Sequence, residues 1–264
     1  MRSLPVQFLV FLLTVGVEIF AVSILTKPAI SPSHNTLNES LKPPTQAFEP
    51  SIVAAPEAVE SLPKSTEETR LEQFADEKRI GRPGKNKIEI KCYSQGNERF
   101  AEIRFYTKSE YGAWIEIQSF KFDKDGVTDC DPFIEDFNKD GLKDFSYQSN
   151  VAARGANEVR KLFIYDRTRD ALVYIQNSEN YPNLAYNKTL NCVDSFIVTG
   201  TTETVFLHID GDKLREFASV DNGLLREVMV TDKTGKSQII RRQKYNIDDF
   251  DEAYRRFSNY DPLR

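Results

Sequence analysis

From about residue 86 the chain repeats one texture: short runs rich in β-branched and aromatic residues, every 8–12 residues, with turn chemistry between them. KIEIKCY, RFAEIRFYT, AWIEIQSFKF, VRKLFIYD, ALVYIQN, ETVFLHID and LLREVMVT are such runs. Asp125-Gly126, Asp210-Gly211, Asn222-Gly223 and Thr234-Gly235 are the punctuation. Branched and aromatic side chains suit a pleated surface, and Gly after a short polar residue suits a tight hairpin. Val205, Leu207 and Ile209 fall on one strand face, Phe206 and His208 on the other. The sheets are therefore expected to be antiparallel, with one face in and one face out. About ten strands over 86–264 predict an all-β domain of antiparallel hairpins, a small propeller-like body or a sandwich.

Residues 1–25 carry the one long apolar run, Leu4–Leu25, broken only by Glu18. Its length predicts a signal-anchor helix in a membrane; a cleaved signal peptide is the alternative, with Ala21-Val22-Ser23 as small residues near its end. Either reading exports the rest of the chain. Residues 26–85 read as a linker. Seven of the twelve prolines lie between 28 and 63, and Phe48 is the lone aromatic between 26 and 65. Within it, Leu71, Phe74, Ala75 and Lys78 predict a short helix over 66–80. At the other end, Ile247, Phe250, Tyr254 and Phe257 share a helical stripe, which predicts a short C-terminal helix packed on the sheet.

Charge and residue counts remove several function classes. Forty acids against 35 Lys and Arg give a net charge of −5, a poor match to a nucleic-acid surface. Two histidines, His34 and His208, leave no His-rich metal site, and a Ser-His-Asp triad would depend on His208 alone. Trp114 with Tyr111 and Phe120 is a candidate sugar platform, although one Trp in a sheet is ordinarily core. Cys92, Cys130 and Cys192 contain no C-x-x-C; any two can pair in an oxidising compartment, and one stays free. The domain is therefore expected to be no enzyme.

The strongest local signal runs from Asp136 to Asp144. Asp136, Asn138, Asp140 and Asp144 place side-chain oxygens at loop positions 1, 3, 5 and 9, with Gly141 at position 6. Calcium takes six to eight oxygens, and alternate residues face one ion only where the backbone turns sharply. The Leu142 carbonyl offers another oxygen. Tyr147 stands where an EF-hand needs Glu, and a strand follows rather than a helix, so this is a calcium loop leading into a strand. Six acids between 129 and 144 face only Lys139 and Lys143, a density that a cation would relieve. The ion is expected to be structural; the competing reading is ordinary turns in which Asp and Asn cap their own backbone. Asp123, Asp125, Gly126 and Asp129 copy part of the pattern and read as a hairpin, while Asp129 or Asp131 is a further candidate for the main site.

FIEDFNKDGLKDF, followed by LFIYDRTRDALVYIQN, resembles a bacterial periplasmic group with a compact β-propeller-like domain and a calcium loop. That group includes lysozyme-inhibitor-like proteins and immunity proteins against peptidoglycan hydrolases delivered by type IV secretion. The matching stretches cover 133–177. The resemblance implies Asp136, Asn138, Asp140, Leu142 (backbone) and Asp144 as calcium ligands and a peptidoglycan hydrolase or lysozyme-type protein as partner. The Ser-Gly-x-x-Tyr loop by which such inhibitors plug an enzyme cleft is missing. Its counterpart by position is Ala153–Glu158, where Arg154 beside Gly155 is the candidate partner contact, a guanidinium able to meet catalytic carboxylates. An adhesive or scaffolding module of the envelope is the alternative, and an unrecognised hydrolase a third.

Overall fold

The computed structural model describes residues 67–126 and 128–261. The apolar run at 4–25 and the proline-rich stretch up to residue 66 lie outside them, so the anchor and most of the linker do too. Among the described residues no helix is long and apolar enough to cross a membrane.

Among the described residues fourteen strands form three antiparallel meanders in chain order. The first sheet is β1 (Glu68–Asp76), β2 (Asn86–Gln95), β3 (Glu98–Lys108) and β4 (Trp114–Asp123). The second is β5 (Phe133–Glu135), β6 (Asp144–Ala152), β7 (Asn157–Asp166) and β8 (Ala171–Tyr174). The third is β9 (Ala185–Asn187), β10 (Cys192–Val198), β11 (Thr202–Asp210), β12 (Lys213–Asn222), β13 (Arg226–Thr231) and β14 (Ser237–Gln243). Every neighbouring pair within a sheet is adjacent in sequence, so the all-β antiparallel expectation holds. The strand count exceeds the ten expected, because pieces as short as β5 and β9 leave too few residues for a readable alternation.

Two expectations near the ends are corrected. The helix expected over 66–80 is the strand β1, paired with β2 from Glu68↔Gln95 to Asp76↔Ile88. Glu72, Phe74 and Asp76 turn inward at period two. A helix that short is marginal alone, whereas β2 offers a full row of backbone partners. The sheet-forming chain therefore starts near residue 68, not 86. At the C-terminus a helix does form, but only α1 (Phe250–Ala253), capped by Asp249. Of its expected stripe only Phe257 is buried, while Ile247, Phe250 and Tyr254 are exposed.

Burial shows why the one-face-in expectation fails for the central strands. On β7, Phe163 and Tyr165 join a cluster with Ile88, Ile103 and Phe105 of the first sheet. Leu162 and Ile164, on the opposite face of β7, pack with Val193, Val205 and Leu207 of the third. The second sheet is thus sandwiched between the other two. The back of the third sheet is covered as well, where Phe206, Val220 and Val228 meet Phe257. Phe163 is the centre of the first core. Its ring lies 5.2 Å from Phe120 and Tyr174 and 5.8 Å from Phe145. A disulfide joins Cys92 on β2 to Cys130 in the passage from β4 to β5, and Cys192 is free and buried. That passage takes the place of the hairpin expected at Asp125-Gly126.

Candidate metal centre

The acidic segment connects β5 to β6 and is held by short-range bonds that its own residue types dictate. Gly141 (φ 88°) and Lys139 (φ 55°) take left-handed conformations that reverse the chain. Asp136 Oδ2 accepts from the Gly141 N–H at 3.1 Å, and Asn138 Oδ1 from the Asp140 N–H at 3.1 Å. Asp140 Oδ1 accepts from the Leu142 N–H at 2.8 Å. Asp144 is fully buried, and both its oxygens are engaged: Oδ2 by the Phe137 N–H at 2.8 Å, Oδ1 by the Tyr165 N–H at 2.9 Å. Arg167 donates to the Asp140 carbonyl at 2.8 Å.

Two observations bear on whether a cation fits. The first is Asp136 Oδ1. It is buried and accepts no hydrogen bond from any described residue. An unpaired carboxylate oxygen out of water costs several kcal/mol unless something positive meets it. The second is charge allocation. Lys139 and Lys143 both approach Glu135, at 3.4 and 3.8 Å, and Asp131 is tied to Arg160. Among the described residues, no basic side chain pairs with Asp136, Asp140 or Asp144. Burial, with the charges of Asp136 and Asp140 added, pushes the Asp144 carboxyl up to about 7 against the pull of its two backbone donors. The donor set is hard oxygen, the chemistry of calcium rather than of a thiophilic metal.

The loop oxygens do not form a closed cage. Among the described residues, the one trio of His, Cys, Asp or Glu with ligand atoms within 4.8 Å of one another is Glu72, Cys92 and Cys130. Its sulfurs are spent on the disulfide, and Glu72 accepts from the Cys130 N–H at 2.7 Å. The carboxylates of Asp136, Asp140 and Asp144 stand farther apart than that, each turned to its own backbone donor.

The other candidate residues are scattered. Asp131, bound to Arg160, is not turned to the loop. Trp114, Tyr111 and Phe120 form no platform: Tyr111 is 97% exposed at a turn, Phe120 lies on the first core, and Lys108 covers Trp114. His208 is exposed and its ring stacks 4.2 Å from Phe217, and its imidazole makes no hydrogen bond to any described residue. Arg154 and Gly155 sit at the tip between β6 and β7. Ala153 (φ 48°), Arg154 (φ 56°) and Gly155 (φ 94°) are three consecutive left-handed residues, two of them not glycine. All three are exposed, and among the described residues nothing accepts from the Arg154 guanidinium.

No family model matches the chain, and no curated protein is similar to it at a significant level. One solved structure is similar, a Xanthomonas type IV secretion system related protein. It shares 10% identity over 64% of this chain and 93% of its own, with a TM-score of 0.40. At that level of likeness no function passes from one chain to the other.

Proposed function

We propose that this chain is an exported, non-enzymatic binding domain that blocks a lysozyme-type peptidoglycan hydrolase and carries a structural calcium ion in the 136–144 loop. The observation that carries the reading is the tip at Ala153–Gly155. Non-glycine residues held in the left-handed region cost about 1–3 kcal/mol each, and such strain gathers where a loop is built for contact. The tip presents one cation with no partner among the described residues, and the catalytic centre of a glycosidase is a pair of carboxylates. The metal loop and the tip lie at opposite ends of β6, nine residues or roughly 30 Å apart. An ion at Asp136, Asn138, Asp140, the Leu142 carbonyl and Asp144 would fix the start of the strand that carries the tip. It would also give Asp136 Oδ1 its missing partner. The three successive meanders suit the blades of a propeller-like body, and an export signal at 4–25 would place that body in the periplasm or envelope.

The test is lytic activity of a panel of lysozyme-type enzymes titrated with the full chain. Arg154→Ala should weaken inhibition at least about tenfold while leaving stability within about 0.5 kcal/mol, since the side chain is exposed. Full inhibition by the variant sinks the reading. The second reading, an adhesive or scaffolding module, draws on Tyr111, Ile115 and Ile117, which leave an apolar strip exposed at the β3–β4 turn and along β4.

A further inference from the structure

A cavity of about 270 Å³ lies where the acidic loop meets the third sheet. It exists because β10 and β11 part company. Their pairing ends at Val193↔Leu207, whereas β11 continues beside β12 as far as Asp210↔Lys213. Along His208, Ile209 and Asp210, one edge of β11 therefore has no neighbouring strand. No other backbone or side-chain group among the described residues takes its place on that edge. An open edge offers N–H donors and C=O acceptors side by side. Two carboxamides stand on the rim. Asn138 spends its oxygen on the Asp140 N–H, and Asn191 spends its own on the Tyr186 hydroxyl at 2.7 Å. Both keep an amide NH2 without a partner among the described residues. Ile209, half-buried, makes an apolar wall, and Val193 and Leu207 lie closed beneath it.

Together these features match one chemistry: a secondary amide with a small apolar acyl end. The amide meets both a donor and an acceptor of the strand edge, the acyl methyl meets the half-buried Ile209, and the rim carboxamides meet neighbouring oxygens. Anions are disfavoured because Asp136 and Asp140 lie on the adjoining loop. A long peptide is disfavoured because the open edge is three residues long and the volume falls just below the roughly 300 Å³ at which pockets for larger ligands begin. We propose that this cavity binds the acetamido group of an N-acetylated amino sugar, through the His208–Ile209 edge of β11 and the carboxamides of Asn138 and Asn191. This goes beyond hydrolase blocking, which uses the far end of β6, and it stands whether or not that blocking is found.

Saturation-transfer NMR on the full chain, in a detergent without a sugar headgroup, tests it with three probes: N-acetylglucosamine, glucose and acetyl-trialanine amide. N-acetylglucosamine should bind, with its acetyl methyl the most strongly saturated group, and glucose should bind at least about tenfold more weakly. Asn191→Gly keeps the left-handed backbone (φ 50°) and removes the carboxamide; it should weaken the sugar about tenfold with the melting temperature unchanged. Ile209→Trp, which fills the half-buried wall, is a second variant and should abolish binding. Equal binding of glucose and N-acetylglucosamine, tighter binding of the peptide, or full binding by both variants overturns the proposal.

Discussion

Breaking the Cys92–Cys130 bond should cost this fold about 4 kcal/mol. The bond closes a loop spanning a sequence separation of 38, and removing that closure frees the denatured chain by about this amount on the chain-entropy scale. The native side should change little. Both cysteines are buried, at 3% and 0% exposure, and a reduced thiol packs as a small apolar group. The bond ties β2 to the passage that carries the chain from the first sheet to the second, so its loss should loosen the joint between sheets rather than one hairpin. The chain has a single tryptophan, Trp114 on β4 of the first sheet, and its fluorescence reports unfolding there. Urea titrations of the oxidised chain and of a Cys92→Ala, Cys130→Ala variant should differ by about 4 kcal/mol, or about 8–16 °C in melting temperature. The slope against urea should rise in the variant, because an uncrosslinked denatured chain exposes more surface. A difference below about 1 kcal/mol at equal slope would mean that the bond does not hold this joint, and peptide mapping that finds Cys192 in a disulfide would mean that Cys92 and Cys130 are not partners.

Other tests address separate parts of the structure. Phe163→Ala should destabilise by about 3–5 kcal/mol, because five aromatic rings surround a fully buried side chain, and thermal unfolding reads this directly. Cys192 is buried, and burial pushes its thiol up to about 11; the folded chain at pH 8 should therefore resist thiol reagents that label one cysteine in urea. Asp170, in the β7–β8 turn, accepts from Asn86 and Thr107 of the first sheet and from the Tyr165 hydroxyl of β7. Burial raises its carboxyl, but these donors and the Lys85 charge outweigh that and hold it below the ordinary range. A depressed folded value stabilises above the unfolded value near ~3.9, and that stability is lost as pH falls through the folded value. Asp170→Asn should therefore cost about 1–3 kcal/mol at pH 7 and progressively less below about pH 4, measured as stability against pH.

Much of the fold was legible because its signals are local. Asp210-Gly211 and Thr234-Gly235 mark the turns that join β11 to β12 and β13 to β14, and the alternation around Val205 marks a strand. β1 was misread because four residues at helical spacing carry less weight than the open edge of β2, which lies more than ten residues on. The double-sided burial of β7 and β11 was invisible for a related reason: alternation tells which residues share a face, not whether a second layer covers the other. The loop at 136–144 was legible as a spacing of oxygens. What no spacing reveals is that Lys139 and Lys143 turn to Glu135, that Asp131 turns to Arg160, and that Asp136 Oδ1 is left buried alone. The cavity beside β11 depends on where two strands diverge, which is a property of register and not of composition.

The calcium proposed for the 136–144 loop is open to direct measurement. The direct measurement is equilibrium dialysis of the full chain against calcium, with Asp136→Asn and Asp140→Ala variants alongside. One equivalent bound by the parent and none by either variant is the expected result, with a gain of about 2.7 kcal/mol in stability at a hundredfold excess over Kd. A parent chain that takes up no calcium, or variants that take up as much as the parent, would contradict it.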